Sequence, residues 1–356
     1  MRADRLLLAT LLLPIVLIQS GCSGYLWRAA VQQGKILARR EPIAQVLSDP
    51  RTDSTLQEKL RLVQEVRRFT ETIELTPGKT FTQFAKTDRD PLLWVLLGAR
   101  PDAFELATWK FPIVGIVPYK GFFEKAEAIE AGTELQDRGY EVSIRGSSAF
   151  SSLGWFNDPI LTNLLKRDQL EIINTVIHEI LHTTVWIPDA VPFNESLANF
   201  VGHQGTIAFI EARLAACQGD PQCLSLNLAL LERAKASMAR ERFLAEQITV
   251  LHAELGELYS SSRTKAEKLA AREQVFTASM TPLRTAYPTL PILKSINNAE
   301  IMQLHLYLYG FDSFQQLFDG VNGSWPMFLE EIRAIKKARP SDPYALLKAR
   351  VQQLTQ

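Results

Sequence analysis

The stretch from Asp168 to Trp186 constrains this chain most. Leu170, Ile173, Ile177, Ile180 and Leu181 recur at three- and four-residue steps, the period of an amphipathic helix. Asp168 is a good N-cap, with Glu171 three residues on as in a capping box. A helix this apolar has to be buried, so the fold must wrap other elements around it. The same helix carries His178, Glu179 and His182. Histidines four apart lie on one face, one turn apart, and both imidazoles can reach one metal ion. Glu179 lies about 100° round the axis from His178. It is placed to meet a water beside the metal rather than the metal itself, which is the position of a general base. The bland alternative is a polar helix face with two incidental histidines.

A hydrolytic zinc takes three protein ligands and keeps one position open. Glu195 is the expected third ligand. It follows His182 by thirteen positions, room for one more turn, a proline-containing loop and the first turn of a new helix starting near Phe193. Asp189, His203 and Glu211 are its rivals. Asp189 comes only seven residues after His182, and Val185 stands where a turn-making glycine would be needed. His203 and Glu211 would require the second helix to face differently. The competing reading of Glu195 is an acidic residue favoured near a helix start by the macrodipole.

The whole chain sets the surroundings of this site. It has 356 residues, 46% hydrophobic and 22% charged, which is globular composition. Lys+Arg and Asp+Glu are both 39, so no general basic field exists to hold nucleic acid. Arg2 and Arg5 precede an apolar run from Leu6 to Ile18, the charged and hydrophobic parts of a signal peptide, too short to span a membrane comfortably. Ser20-Gly21-Cys22 then looks like a lipobox. Cys22 would become the lipid-bearing N-terminus of the mature chain and residues 1–21 the cleaved lipoprotein signal, although Gln19 departs from the usual aliphatic residue. The alternative is an ordinary cleaved signal with an incidental cysteine. The implied location is the bacterial cell envelope, anchored to the membrane by lipid. Ser23 after the cysteine fits an outer-membrane lipoprotein facing the periplasm, if the cell is Gram-negative. In that oxidising compartment Cys217 and Cys223, which bracket a turn-rich segment, are expected to form a disulfide, with two free thiols as the alternative.

The pattern along residues 22–356 is α+β and helix-dominated. Residues 24–90 read as helical, with Asp53 capping a helix that carries Leu56, Leu60, Val63 and Val66, and with Arg40-Glu41-Pro42 as a break before it. Residues 91–213 hold a small mixed sheet and then the active-site helix. Leu93–Leu97, Thr108–Tyr119 and Tyr140–Ile144 read as strands, with a helix near Phe122–Arg138. Ser151–Phe156 reads as a further strand or extended loop, an edge against which substrate backbone could pair. Residues 224–356 are helical again. Leu244, Ile248, Leu251, Leu255 and Leu258 form a seam, Ser260-Ser261-Ser262 interrupts it, and Thr264 with Glu267 caps a return helix, giving a helical hairpin.

Several ordered segments together resemble a known group. They are Gly21-Cys22-Ser23, Arg39–Ile43, Thr108–Gly115, Pro118–Phe123, Ser151–Pro159, His178–His182, Phe193-Asn194-Glu195-Ser196 and Asn297-Asn298-Ala299 with Tyr307. The chain is similar in them to the bacterial lipoproteins named as predicted aminopeptidases, a family of His-Glu-x-x-His zinc proteins with a zincin-like active-site helix. The region from about Leu214 to Thr289 lies outside the resemblance. It implies Zn2+ as cofactor, a peptide as substrate and Glu195, in the Asn-Glu-Ser segment, as third ligand. It also points to Tyr307 as a catalytic group stabilising the oxyanion, with His305 and Tyr309 nearby and a core-filling aromatic as the plain alternative. The residues themselves do not separate an aminopeptidase from an endopeptidase, and a non-catalytic envelope lipoprotein that kept the fold is the competing class.

Overall fold

The computed structural model describes residues 31, 34–111, 115–147, 158–290 and 296–354. The signal segment, Cys22 and Ser151–Phe156 lie outside the described residues. The chain opens with strand β1 (Arg40–Pro42), followed by helices α1 (Ile43–Ser48) and α2 (Ser54–Thr72). Asp53 caps α2 by accepting the Leu56 N–H. Next come β2 (Gln83–Ala85), β3 (Leu93–Ala99), β4 (Trp109–Phe111), β5 (Gly115–Val117), β6 (Lys120–Phe122), α3 (Lys125–Asp137) and β7 (Glu141–Ser147). After β8 (Ile160–Leu161) and the single turn α4 (Thr162–Leu165), the motif helix α5 spans Gln169–Thr184 and α6 spans Val191–Ala216. A long helix α7 (Pro221–Ser260) and α8 (Lys265–Ala286) form the hairpin. The chain closes with α9 (Asn298–Leu308), α10 (Phe311–Gly320), α11 (Trp325–Ala338) and α12 (Pro343–Leu354).

The architecture is α+β and dominated by helices. The strands make three small sheets rather than one. β1 pairs antiparallel with β2, and β2 pairs parallel with β8, which is the mixed sheet. β3 lies between β6 and β7, antiparallel to both, and β4 and β5 form a hairpin. The expected break at Arg40-Glu41-Pro42 is thus a paired strand. Strands of two or three residues are too short to carry an alternating signature, so β1, β2 and β8 left none in the sequence. The expected helix near Phe122–Arg138 begins only at Lys125, because Lys120–Phe122 pairs with β3.

Alternation along β3 decides what covers its sheet. Leu96 packs with Phe122, Ala128 and Leu135 on the α3 side. Leu97 and Ala99 pack with Ala299 and Leu306 of α9 on the other. Helix α9 therefore links the antiparallel sheet to the helical body. Thr264 and Glu267 make a reciprocal capping box, so Ser260–Arg263 is a true turn between α7 and α8. No helix among the described residues is long and apolar enough to cross a membrane.

Helix α5 sits in the main core. Ile172, Ile173, Val176, Ile177, Ile180 and Leu181 are all fully buried. At about 100° per residue these six cover roughly half of the helix circumference, and His178, Glu179 and His182 fall on the other half. Asp168 Oδ1 accepts the Glu171 N–H at 2.9 Å and starts the helix. Helix α6 crosses α5 at close range because two of its residues are glycine. A Cβ at Gly205 would meet Ile177 Cγ2 at 3.0 Å, and one at Gly202 would meet Asn174 Oδ1 at 3.0 Å. A larger side chain there must push the two helices apart. Gly205→Leu is expected to cost about 1–3 kcal/mol of stability through overpacking. Urea unfolding checks this, and an unchanged midpoint would show that close approach at Gly205 is not a constraint.

Candidate metal centre

Helix α5 stops at Thr184, and Val185 turns the chain away with its N–H on the Leu181 carbonyl at 2.8 Å. The loop from Val185 to Ala190 is fixed by a single buried side chain. Asn194 Oδ1 accepts the Ile187 N–H at 2.9 Å, and Asn194 Nδ2 donates to the Ile187 carbonyl at 2.8 Å. Both bonds are out of solvent, so losing them would strand buried backbone groups. Pro192 lies in the first turn of α6, where a missing N–H costs nothing. The clamp and the proline together fix where the next residue, Glu195, projects.

Glu195 projects onto the two histidines. His178 Nε2 and His182 Nε2 are 3.2 Å apart. Glu195 Oε2 is 3.5 Å from the first and 3.7 Å from the second. One atom from each residue thus converges on a single point, and the three residues could hold a metal ion. They are well enclosed, with His182 only 4% exposed and Glu195 13%. Trp186 packs edge-on against the His182 ring, with centroids 5.5 Å apart. Of the rivals, Asp189 sits exposed on a positive φ of 60°, outside the cluster. Glu211 is exposed, and His203 is not among the converging residues.

The charges in this enclosure reshape one another. Burial alone would raise the Glu195 carboxyl, but the charge of His182, with His178 also close by, holds it well below the usual carboxylate range. Burial alone would lower His182, yet Glu195, with a smaller push from Glu179, carries the net shift upward. Glu179 lies beside the triangle, half-buried. Its Oε2 and the Nδ1 of His182 are buried atoms without a hydrogen-bond partner among the described residues. A carboxylate oxygen so placed is matched to a donor such as a water or a substrate N–H. This donor set of two imidazoles and a carboxylate, with a free carboxylate oxygen alongside, fits a metal-assisted hydrolytic centre.

Two tyrosines border the centre. Tyr307 and Tyr119 are half-buried, and the charge of Glu195 reaches both. Burial, aided by that charge, raises Tyr307, with Arg145 opposing. Tyr119 is pushed up to about 12 by burial and Glu195, with a smaller contribution from Glu179. Both phenols therefore remain O–H donors across the neutral range. Helix α6 fixes Tyr307 relative to Glu195. Ser196 Oγ donates to the Leu306 carbonyl at 3.1 Å, and Asn199 Nδ2 donates to the Tyr307 carbonyl at 3.2 Å and to Glu241 at 3.0 Å. His305 and Tyr309 turn elsewhere, into a stack in which the His305 ring lies 3.9 Å from His252 and 4.5 Å from Tyr309. Cys217 and Cys223 are joined as a disulfide, with Cα atoms 5.6 Å apart.

Tyr119, Arg145, Ser196 and Asn199 had not been singled out as site residues. Tyr119 and Ser196 fall in segments that carry the resemblance, but no spacing rule connects either to the motif helix. Arg145 left no signal at all.

The chain is a helix-dominated α+β protein whose two-histidine, one-glutamate cluster on adjoining helices could hold a metal ion, which fits a metalloprotease. Residues 24–347 match the model of the family described as "Putative aminopeptidase", and the chain belongs to that family. No curated protein and no solved structure matches it.

A ligand that binds only the folded state raises its stability by mass action, by about 2.7 kcal/mol at one hundred times its dissociation constant. Adding a divalent transition metal to the metal-free protein is therefore expected to raise its melting temperature. Glu195→Ala and His182→Ala should lose most of that rise. An equal rise in wild type and both variants would place the metal elsewhere.

Proposed function

We propose that this protein is a zinc-dependent peptidase of the bacterial cell envelope, acting as an aminopeptidase. His178, His182 and Glu195 hold the Zn2+, and Glu179 is the general base. The observation that carries this reading is the triangle of donor atoms, with sides of 3.2, 3.5 and 3.7 Å. Tetrahedral zinc with bonds of about 2.0–2.2 Å separates its ligand atoms by about 3.3–3.6 Å. Two neutral imidazoles and one carboxylate are also a donor set that zinc prefers over magnesium or calcium.

Bound zinc would supply Lewis-acid polarisation of the scissile carbonyl and lower the pKa of a water from about 15.7 to about 7. The chain's own groups do the rest. Glu179 accepts the proton of the attacking water on its unpartnered Oε2, holds it in a half-buried setting, and passes it to the leaving amine. Tyr307 donates its phenolic proton to the oxyanion that develops on the carbonyl. Arg145 Nη2 donates to the Tyr307 hydroxyl at 3.1 Å, which leaves the phenolic proton free for that purpose. Trp186 and the apolar face of α5 exclude bulk water from behind the ligands. The family's name supports exopeptidase action on a free N-terminus.

Glu179→Gln is expected to keep its zinc, measured by metal analysis, and to lose about 10²–10⁴-fold in kcat on peptides. Activity unchanged in that variant would end the general-base assignment. Peptides with free and acetylated N-termini separate the two kinds of peptidase, and equal cleavage of both would remove the aminopeptidase reading.

The envelope location rests on the sequence around Cys22. The wild-type chain is expected to partition with detergent after expression in a Gram-negative host, and Cys22→Ala to remain in the aqueous phase. Aqueous partition of the wild type would refute the lipid anchor.

A further inference from the structure

Arg145 is the charge in the site region that the hydrolytic chemistry does not balance. It lies on β7, which is an edge strand among the described residues, and faces α9. Its partners are neutral. Nη2 donates to the Tyr307 hydroxyl at 3.1 Å, and the guanidinium lies 5.3 Å from the centre of the Tyr307 ring. The Gln303 amide, turned so that its oxygen accepts, takes Nε and Nη2. Arg145 forms no ion pair with a carboxylate among the described residues. Arg272, a buried arginine that reaches the same strand, has one in Glu141. Tyr307 and Gln303 take Nε and Nη2, which leaves the two N–H donors of Nη1 for a carboxylate oxygen, and a partly desolvated cation gains from an anionic partner.

Arg145 acts electrostatically on both Tyr119 and Tyr307, and both phenols in turn feel Glu195. Tyr307 touches Arg145 through its hydroxyl, while Ser196 and Asn199 hold its backbone against the helix that carries Glu195, so a cation suited to a carboxylate adjoins a cluster suited to a scissile carbonyl. A peptide that places its carbonyl at the first would bring a nearby negative group toward the second.

We propose that Arg145 is the carboxylate-binding subsite of this centre, so that the preferred substrates are short peptides bearing a carboxylate close to the scissile bond. This rests on the peptidase reading and narrows its substrate class. The carboxylate is either the free C-terminus of a di- or tripeptide or an acidic side chain just after the cleaved bond.

The test uses the zinc-loaded full-length protein on alanyl-alanine and trialanine, on their C-terminal amides, and on alanyl-glutamate with both α-carboxyl and side chain compared as amides. The wild type is expected to favour the carboxylate over the matched amide at least tenfold in kcat/KM, mostly through KM. Arg145→Met should bring that ratio close to one, and Arg145→Lys should restore part of it. Discrimination against the C-terminal amide assigns the α-carboxylate, and discrimination against the side-chain amide assigns the acidic residue; both uphold the subsite. Calorimetry gives a second readout without turnover. Zinc-loaded Glu179→Gln should bind alanyl-alanine at least tenfold more tightly than its amide. If peptides are cleaved but acid and amide behave alike in the wild type, the Arg145 proposal falls and the peptidase stands. If no peptide is cleaved, the peptidase reading falls, and equal binding of acid and amide would overturn the subsite as well.

Discussion

The Glu195 carboxylate is enclosed, largely out of water, against two imidazoles, and much of the structure serves to make that tolerable. A lone carboxylate taken out of water costs several kcal/mol even after relaxation. Here the opposing charge of His182 and His178, within 3.7 Å, outweighs burial and keeps it ionised. The arrangement works only if helices α5 and α6 stay in close register. Gly202 and Gly205 allow the approach, and Asn194 fixes the loop between the helices from both its donor and its acceptor side. The apolar half of α5 anchors the whole set in the main core.

The same helix α6 also locates the groups around the candidate metal site. Ser196 and Asn199, one and four residues past Glu195, hold the carbonyls of Leu306 and Tyr307. Helix α9 is thereby keyed to the ligand helix at the point where Tyr307 projects. Its opposite side packs on Leu97 and Ala99 of the antiparallel sheet, which brings β7 and Arg145 into the neighbourhood. One short helix therefore connects the His178–His182–Glu195 cluster to the sheet, and the site combines residues from Tyr119 to Tyr307.

How much of this was legible in the sequence differs from element to element. Helices α5, α7 and α8 announced themselves because three or more turns of apolar periodicity, bounded by Asp168 or by Thr264 and Glu267, admit no other local structure. The strands Leu93–Ala99 and Glu141–Ser147 were visible in their β-branched and aromatic content. The strands β1, β2 and β8 were not, since each exists only through pairing with residues far away in the chain. Among site residues, His178, Glu179 and His182 follow from the helical repeat alone. Glu195 followed from loop length and resemblance, and its rivals Asp189 and Glu211 are exposed residues away from the cluster.

By itself, then, the sequence determined the motif helix, the spacing of its two histidines and glutamate, and a short list for the third ligand. These are local matters, fixed by a rise and a rotation per residue. The tertiary structure alone decided that Glu195 meets the histidines within 3.7 Å, that Tyr119 and Tyr307 share its field, and that Arg145 stands behind them without an acidic partner among the described residues. Some of those relations join residues more than a hundred positions apart, as Arg145 and Tyr307 are. They depend on how glycine faces, buried clamps and sheet packing bring separate elements together, which no periodicity records.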